Sequence, residues 1–164
     1  MFVTIIITIQ LEEIISEINE RNLRKKNVIF FNVGEQSSTL SKDDRINKER
    51  SDISEIVNTI CPEIHTDNIS FHRLGKFNAN SNKPRPIKIT FPNQDPVHKL
   101  IKNASKLKQN NTFKKVSIVF DRTPKQTSYY QELKQQLADR EERGEQNLKI
   151  KYVQGMPKIV SLNQ

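Results

Sequence analysis

The chain is 164 residues long and only 34% hydrophobic, and its 27 Lys and Arg against 19 Asp and Glu give a net charge of +8. That length suits one domain, or one domain with an appended lobe, and excludes two average-sized enzyme domains; roughly 68–70% of the unfolded chain's surface can leave water, so no staples are needed. The single cysteine, Cys61, can close no internal disulfide and build no Cys-rich zinc site, and the basic balance argues for a soluble chain with a polyanionic partner.

In chain order, Phe2 to Ile9 is an apolar run without a basic n-region or a small-residue cleavage site, and it falls short of the ~20 residues a membrane helix needs. The expectation is no leader, no membrane partner, and a cytoplasmic and/or nuclear location. Ile7, Leu11, Ile14 and Ile18 have coiled-coil spacing over about two heptads, so residues 1–24 read as an amphipathic helix and a route to a homo-oligomer.

Residues 25–122 read as an α+β domain. Asn27–Val33 is a β-branched and aromatic run ended by Gly34, a first strand. Ile46, Ile53, Ile56, Val57 and Ile60 share a helix face that Cys61-Pro62 stops. Ile69 and Phe71 alternate in a second strand. The polar loop Asn78–Lys83 follows, then Ile87, Ile89 and Phe91 alternate in a third strand. Asp95 as N-cap and Pro96 at the first position open a second helix with apolar residues Val97, Leu100, Ile101, Ala104 and Leu107. Val116, Ile118 and Phe120 make a fourth strand. This βαββαβ order predicts an RRM-like, ferredoxin-like antiparallel sheet of four strands with two helices on one face. Residues 123–164 add a lobe. Thr123 to Gln126 forms a capping box, Tyr130, Leu133 and Leu137 give a helix its stripe, and a hairpin turns at Gln154-Gly155.

No catalytic centre, cofactor site or metal site emerges. His65, His72 and His98 lack zinc spacing, Cys61 sits in an apolar pattern that keeps a thiol inert, and four scattered glycines make no phosphate loop. A non-enzyme is expected. The charge distribution points elsewhere: residues 69–125 hold 13 Lys and Arg and only Asp95 and Asp121 as acids, whereas residues 35–67 hold four bases against eight acids. Such asymmetry is the footprint expected where phosphates lie on one face of a domain, with a merely solvated charged face as its alternative.

The candidate phosphate ligands are Arg24, Lys25 and Lys26 before the first strand, His72, Arg73 and Lys76 leaving the second, and Lys83, Arg85 and Lys88 approaching or within the third. RRM domains expose an aromatic at the second position of the first-strand motif, so Ile29-Phe30-Phe31 offers Phe30 to the open face; packing beneath the C-terminal lobe is its alternative. Pro86 and Lys88 stand where stacking rings of the third strand would be, which favours phosphates over base readout. Single-stranded RNA or DNA, bound largely without sequence specificity, is the expected partner. The competing reading is a protein-interaction module that uses the N-terminal helix and an apolar sheet face, with the charge serving solubility.

Arg24–Glu35, His72-Arg73-Leu74-Gly75-Lys76, Lys83–Phe91 and Asp121–Gln126 resemble the nucleic-acid-binding protein of the first reading frame of LINE-type non-LTR retrotransposons. Gly144–Ile150 and Gly155–Val160 are similar to its carboxy-terminal lobe in insect-like elements. The likeness spans roughly residues 21 to 160, through short motifs. It implies an oligomerising coiled coil, an RRM-like domain and a C-terminal domain that clamp single-stranded RNA in a ribonucleoprotein with chaperone activity. It also implies that Arg73, Arg85, Lys88 and Tyr152 face the RNA. Tyr129-Tyr130-Gln131 stands where the family carries arginines, and the coiled coil is short. The baculovirus FP-protein C-terminal domain shares the His-Arg-Leu-Gly and Arg-Pro-Ile pattern.

Overall fold

Asn27–Phe31 forms the strand on which one half of the protein is built. In the computed structural model, which describes residues 2–78 and 81–162 with side chains from residue 7 onward, this strand, β1, ends where Asn32 adopts a left-handed backbone (φ 62°). The apolar pattern predicts two residues more. Asparagine tolerates that conformation better than a β-branched residue, and its side-chain amide donates to the Lys115 carbonyl at 2.9 Å. Ala79 and Asn80, in the expected loop Asn78–Lys83, lie outside the described residues.

The chain divides into two compact units, one of Asn22–Asp121 and one of Met1–Arg21 with Arg122–Gln164. In the first, β1 is followed by α2 (Lys42–Ile60), β2 (Ser70–Arg73), β3 (Ile87–Thr90), α3 (Asp95–Asn103), a 3₁₀ turn (Ala104–Gln109) and β4 (Ser117–Phe120). The four strands lie in the order β2-β3-β1-β4, each pair antiparallel. The register sets Phe30 between Ile87 and Ile118, and Val28 between Ile89 and Phe120.

Val28, Phe30, Ile87, Ile89 and Ile118 share one core with Ile53, Ile56, Val57 and Ile60 of α2, Val97 and Leu100 of α3, and Leu107. Alternation along a strand sends neighbours to opposite faces, so the helices cover the Phe30 face and Phe31 belongs to the other. This corrects the sequence expectation: Phe30 is 0% exposed within the core, and Phe31, at 38%, is the accessible ring.

The helix ends follow local chemistry. Ser41 caps α2, its hydroxyl accepting from the Asp44 N–H at 3.1 Å, and Pro62 lies just past the other end. Ile46, expected on the core face, is 41% exposed near the N-terminal end of α2. Asp95 is the first residue of α3 rather than its cap; Gln94 holds the cap position and makes no side-chain capping bond.

The second unit holds most of α1 (Phe2–Arg24), together with α4 (Pro124–Glu142) and a hairpin of β5 (Leu148–Val153) and β6 (Met156–Ser161). The capping box forms as expected: Thr123 Oγ1 accepts from the Gln126 N–H at 3.1 Å, and Gln126 Oε1 accepts from the Thr123 N–H at 3.0 Å. Thr123 also donates its hydroxyl to Glu17 at 2.7 Å, and Leu133 and Leu148 are buried. Positive φ at both Gln154 and Gly155 closes the hairpin, as a type I′ turn requires. On α1, Ile7, Leu11, Ile14, Ile15 and Ile18 are all about half exposed. Among the described residues, no helix is long and apolar enough to cross a membrane.

Truncating Phe30 opens a cavity in a closed core. Phe30→Ala is therefore expected to lower stability by about 3–5 kcal/mol in urea unfolding, while Phe31→Ala costs less than about 1 kcal/mol. Equal losses would contradict this orientation.

Candidate functional site

The register sorts the sequence candidates by place. Strand residues advance about 3.3 Å, so the two ends of this sheet are roughly 13–17 Å apart. Asn27 pairs with Thr90, and Thr90 with Ser70, so Arg24, Lys25 and Lys26 precede one end. Phe31 pairs with Ser117, and Ile87 with both Phe30 and Arg73, so Lys76, Lys83 and Arg85 stand at the other. His72 and Lys88 pair between the ends, on the face away from the helices. The nine basic candidates therefore do not form one cluster.

Two of them serve the fold. Arg73 has the strand parity of Phe71, which packs against the core, and its side chain is only 8% exposed. Its Nε donates to Glu49 of α2 at 2.6 Å, Nη1 to the carbonyls of Val33 (2.8 Å) and Arg85 (2.6 Å), and Nη2 to that of Gly34 (2.6 Å). Four of a guanidinium's five N–H donors are occupied internally. The expected role of Arg73 on the sheet face is corrected accordingly. Arg85 is held by Glu35: its Nη2 and Nε donate to the carboxylate at 2.7 and 3.1 Å, and its backbone N–H does so at 2.8 Å. Its guanidinium also lies 5.4 Å from the centre of the Phe77 ring.

At the first end, Asp121 neutralises part of the charge. Its carboxylate, 8% exposed, meets Arg24 at 2.8 Å and Lys88 at 3.2 Å, and accepts from the Asn27 amide at 2.9 Å. In the same row, Asn27 and Ile29 are buried, so the face opposite the helices is accessible chiefly at Phe31 and Ser117 and along β2. Tyr152 lies in the other unit, where its hydroxyl accepts from Arg122 Nη2 at 3.1 Å.

Of the other candidates, Lys25 and Lys26 at the first end and His72 on the open face make no ion pair among the described residues, and Lys25 and His72 are exposed. Lys76 and Lys83 are exposed and make no ion pair among the described residues. Lys114 and Lys115, which sequence reasoning passed over, lead into β4 at the same end of the sheet, and they too are exposed and unpaired among the described residues. Phe31 and Phe77, 38% and 57% exposed, lie on the segments between them. Two connections, β2–β3 and the approach to β4, thus bring four ammonium groups without an ion pair among the described residues to a sheet end that carries two accessible rings. The signal for Lys114 and Lys115 was topological: β4 pairs antiparallel to β1, so its start must lie where β1 ends.

No group of three or more His, Cys, Asp or Glu among the described residues is placed to hold a metal ion. Burial pushes the Cys61 thiol up, away from the reactive thiolate. No protein-family model matches the chain, and no curated protein proves similar to it.

Two predictions follow from the arginines. Arg73→Ala leaves Glu49 and three carbonyls without their donor and is expected to cost about 3–5 kcal/mol in urea unfolding; a loss below about 1 kcal/mol would contradict the buried assignment. Hydrogen bonding by the Arg85 side chain holds the Glu35 carboxyl below its ordinary range, against the opposing effect of burial. A depressed carboxylate stabilises fully above the unfolded value of about 4.3 and loses that contribution as pH falls through the lower folded value. Wild type should therefore exceed Glu35→Gln by about 1–3 kcal/mol near neutral pH, with the gap closing below about pH 4. A gap independent of pH would contradict the pair's role.

Proposed function

We propose that Asn22–Asp121 is an RRM-type, ferredoxin-like βαββαβ domain that binds single-stranded RNA or DNA through backbone phosphates and performs no catalysis. The observation that carries this reading is that Lys76 and Lys83, beyond β2 and β3, and Lys114 and Lys115, ahead of β4, all stand at the one end of the sheet where Phe31 and Phe77 are exposed. Ammonium groups neutralise phosphates without reading sequence, and exposed rings stack on any base. The β2-β3-β1-β4 order supports the fold assignment. The resemblance to the LINE first-reading-frame protein supports RNA packaging within a retrotransposon ribonucleoprotein, in the cytoplasm or nucleus. In this reading the binding cations are mainly lysines, while Arg73 and Arg85 hold the surface in shape.

Salt titration tests the interface. Each neutralised phosphate on a single strand contributes about 0.7 to the log-log salt slope, so alanine at Lys76, Lys83, Lys114 and Lys115 together should flatten it by about 3. A slope equal to that of wild type would discard the site.

The half-exposed stripe Ile7, Leu11, Ile14, Ile15 and Ile18 supports self-association of α1 with a second copy of the chain. Leu11→Asp with Ile18→Asp should then yield a monomer in sedimentation equilibrium with single-strand binding retained. An unchanged mass distribution would remove the stripe from any assembly.

A further inference from the structure

Around the edge of this sheet end, on the side of α2, a groove of about 450 Å³ opens between the first turns of α2, the loop after β1 and Phe77. Its lining includes the Arg73–Glu49 and Arg85–Glu35 pairs, whose charges cancel internally. Two cations are left over. Lys42 and Arg45, on successive turns of α2, are exposed, and their side chains have no ion-pair partner among the described residues. Two apolar side chains also line it, Ile46 and Phe77, 41% and 57% exposed. The Phe77 ring is backed by the Arg85 guanidinium, which leaves it held in place and accessible.

The lining, from which the neighbouring Asp43 and Asp44 are absent, therefore favours an anionic occupant that presents a flat or apolar part to a phenyl ring. The volume lies within the range of small-ligand sites, about 300–1,000 Å³. We propose that the groove seats one nucleotide of the bound single strand, its base against Phe77 and Ile46 and its phosphate between Lys42 and Arg45. This rests on the reading of the sheet end as a single-strand interface and carries the strand past Phe77 to the helix side. Continuity with Lys76 and Lys83, which flank Phe77 in the same β2–β3 connection, favours a nucleic-acid strand over an acidic peptide.

The test is salt-titrated binding of oligouridine to the full chain, comparing Lys42→Ala with Arg45→Ala, Phe77→Ala, and the four-lysine variant described above. The substituted side chains are exposed, and a thermal melt of each variant checks that it folds. The Lys42/Arg45 pair should flatten the salt slope by about 1.4. Phe77→Ala should weaken binding about five- to tenfold at unchanged slope, because a stacked base releases no counterion, and this difference should vanish on an abasic strand. Wild-type behaviour of both groove variants while the four-lysine variant loses slope overturns the groove and leaves the sheet-end interface standing. If the four-lysine variant also behaves as wild type, the underlying reading falls with it. An acidic peptide that binds through Lys42 and Arg45, with oligouridine binding unaffected, overturns the proposal in favour of a protein partner.

Discussion

The guanidinium of Arg73 is the contact on which this surface depends. It joins the end of β2 to Glu49 on α2, to the chain leaving β1 at Val33 and Gly34, and to Arg85 at the approach to β3. A planar fork of donors is suited to such a junction, because it meets several acceptors at fixed angles; a lysine would supply one point charge on a flexible stem. Once Arg85 is held, its side chain closes on Glu35 and supports the Phe77 ring. The connection that carries Lys76 and Lys83 is thus anchored by arginines whose charge is spent within the fold, whereas the segment that carries Lys114 and Lys115 is held by the Asn32 amide at the Lys115 carbonyl. The division of labour is physical: a buried cation must be paired, whereas an exposed one is free to exchange water for phosphate.

The fold was legible in the sequence where hydrophobic period and local chemistry agreed. The four strands, the two intervening helices, the Thr123 capping box and the Gln154-Gly155 turn all stand close to where the residues placed them. The frame of β1 was not legible, because Val28-Ile29-Phe30-Phe31 has no polar residue to mark a face, and a motif borrowed from RRM domains set the parity one residue off. The inward turn of Arg73 is legible in the sequence, because Arg73 shares the parity of the alternating Ile69 and Phe71. Lys114 and Lys115 required strand order, which periodicity alone does not give. Asp95 looked like a cap because it precedes Pro96, yet the helix begins at Asp95 itself, and Asn93 accepts its N–H.

Charge in this protein is locally organised rather than merely in excess. Asp121 draws in Arg24 and Lys88 at one end of the sheet, and Glu35 and Glu49 take up the two arginines at the other. The lysines left over are therefore a more local feature than the net charge, and it is on them that the proposed interface rests. Self-association through α1 would add reach, since linked copies engage one strand at a high effective concentration without any new contact. Weak, sequence-independent contacts from each copy would then suffice to coat a long strand.

The most direct measurement of the central claim is lysine acetylation footprinting, read by mass spectrometry, with and without single-stranded RNA. Protection should concentrate at Lys76, Lys83, Lys114 and Lys115, while Lys99, Lys102 and Lys106 on the α3 side react as in the free protein. Protection centred on those last three, or spread evenly over all lysines, would contradict the account.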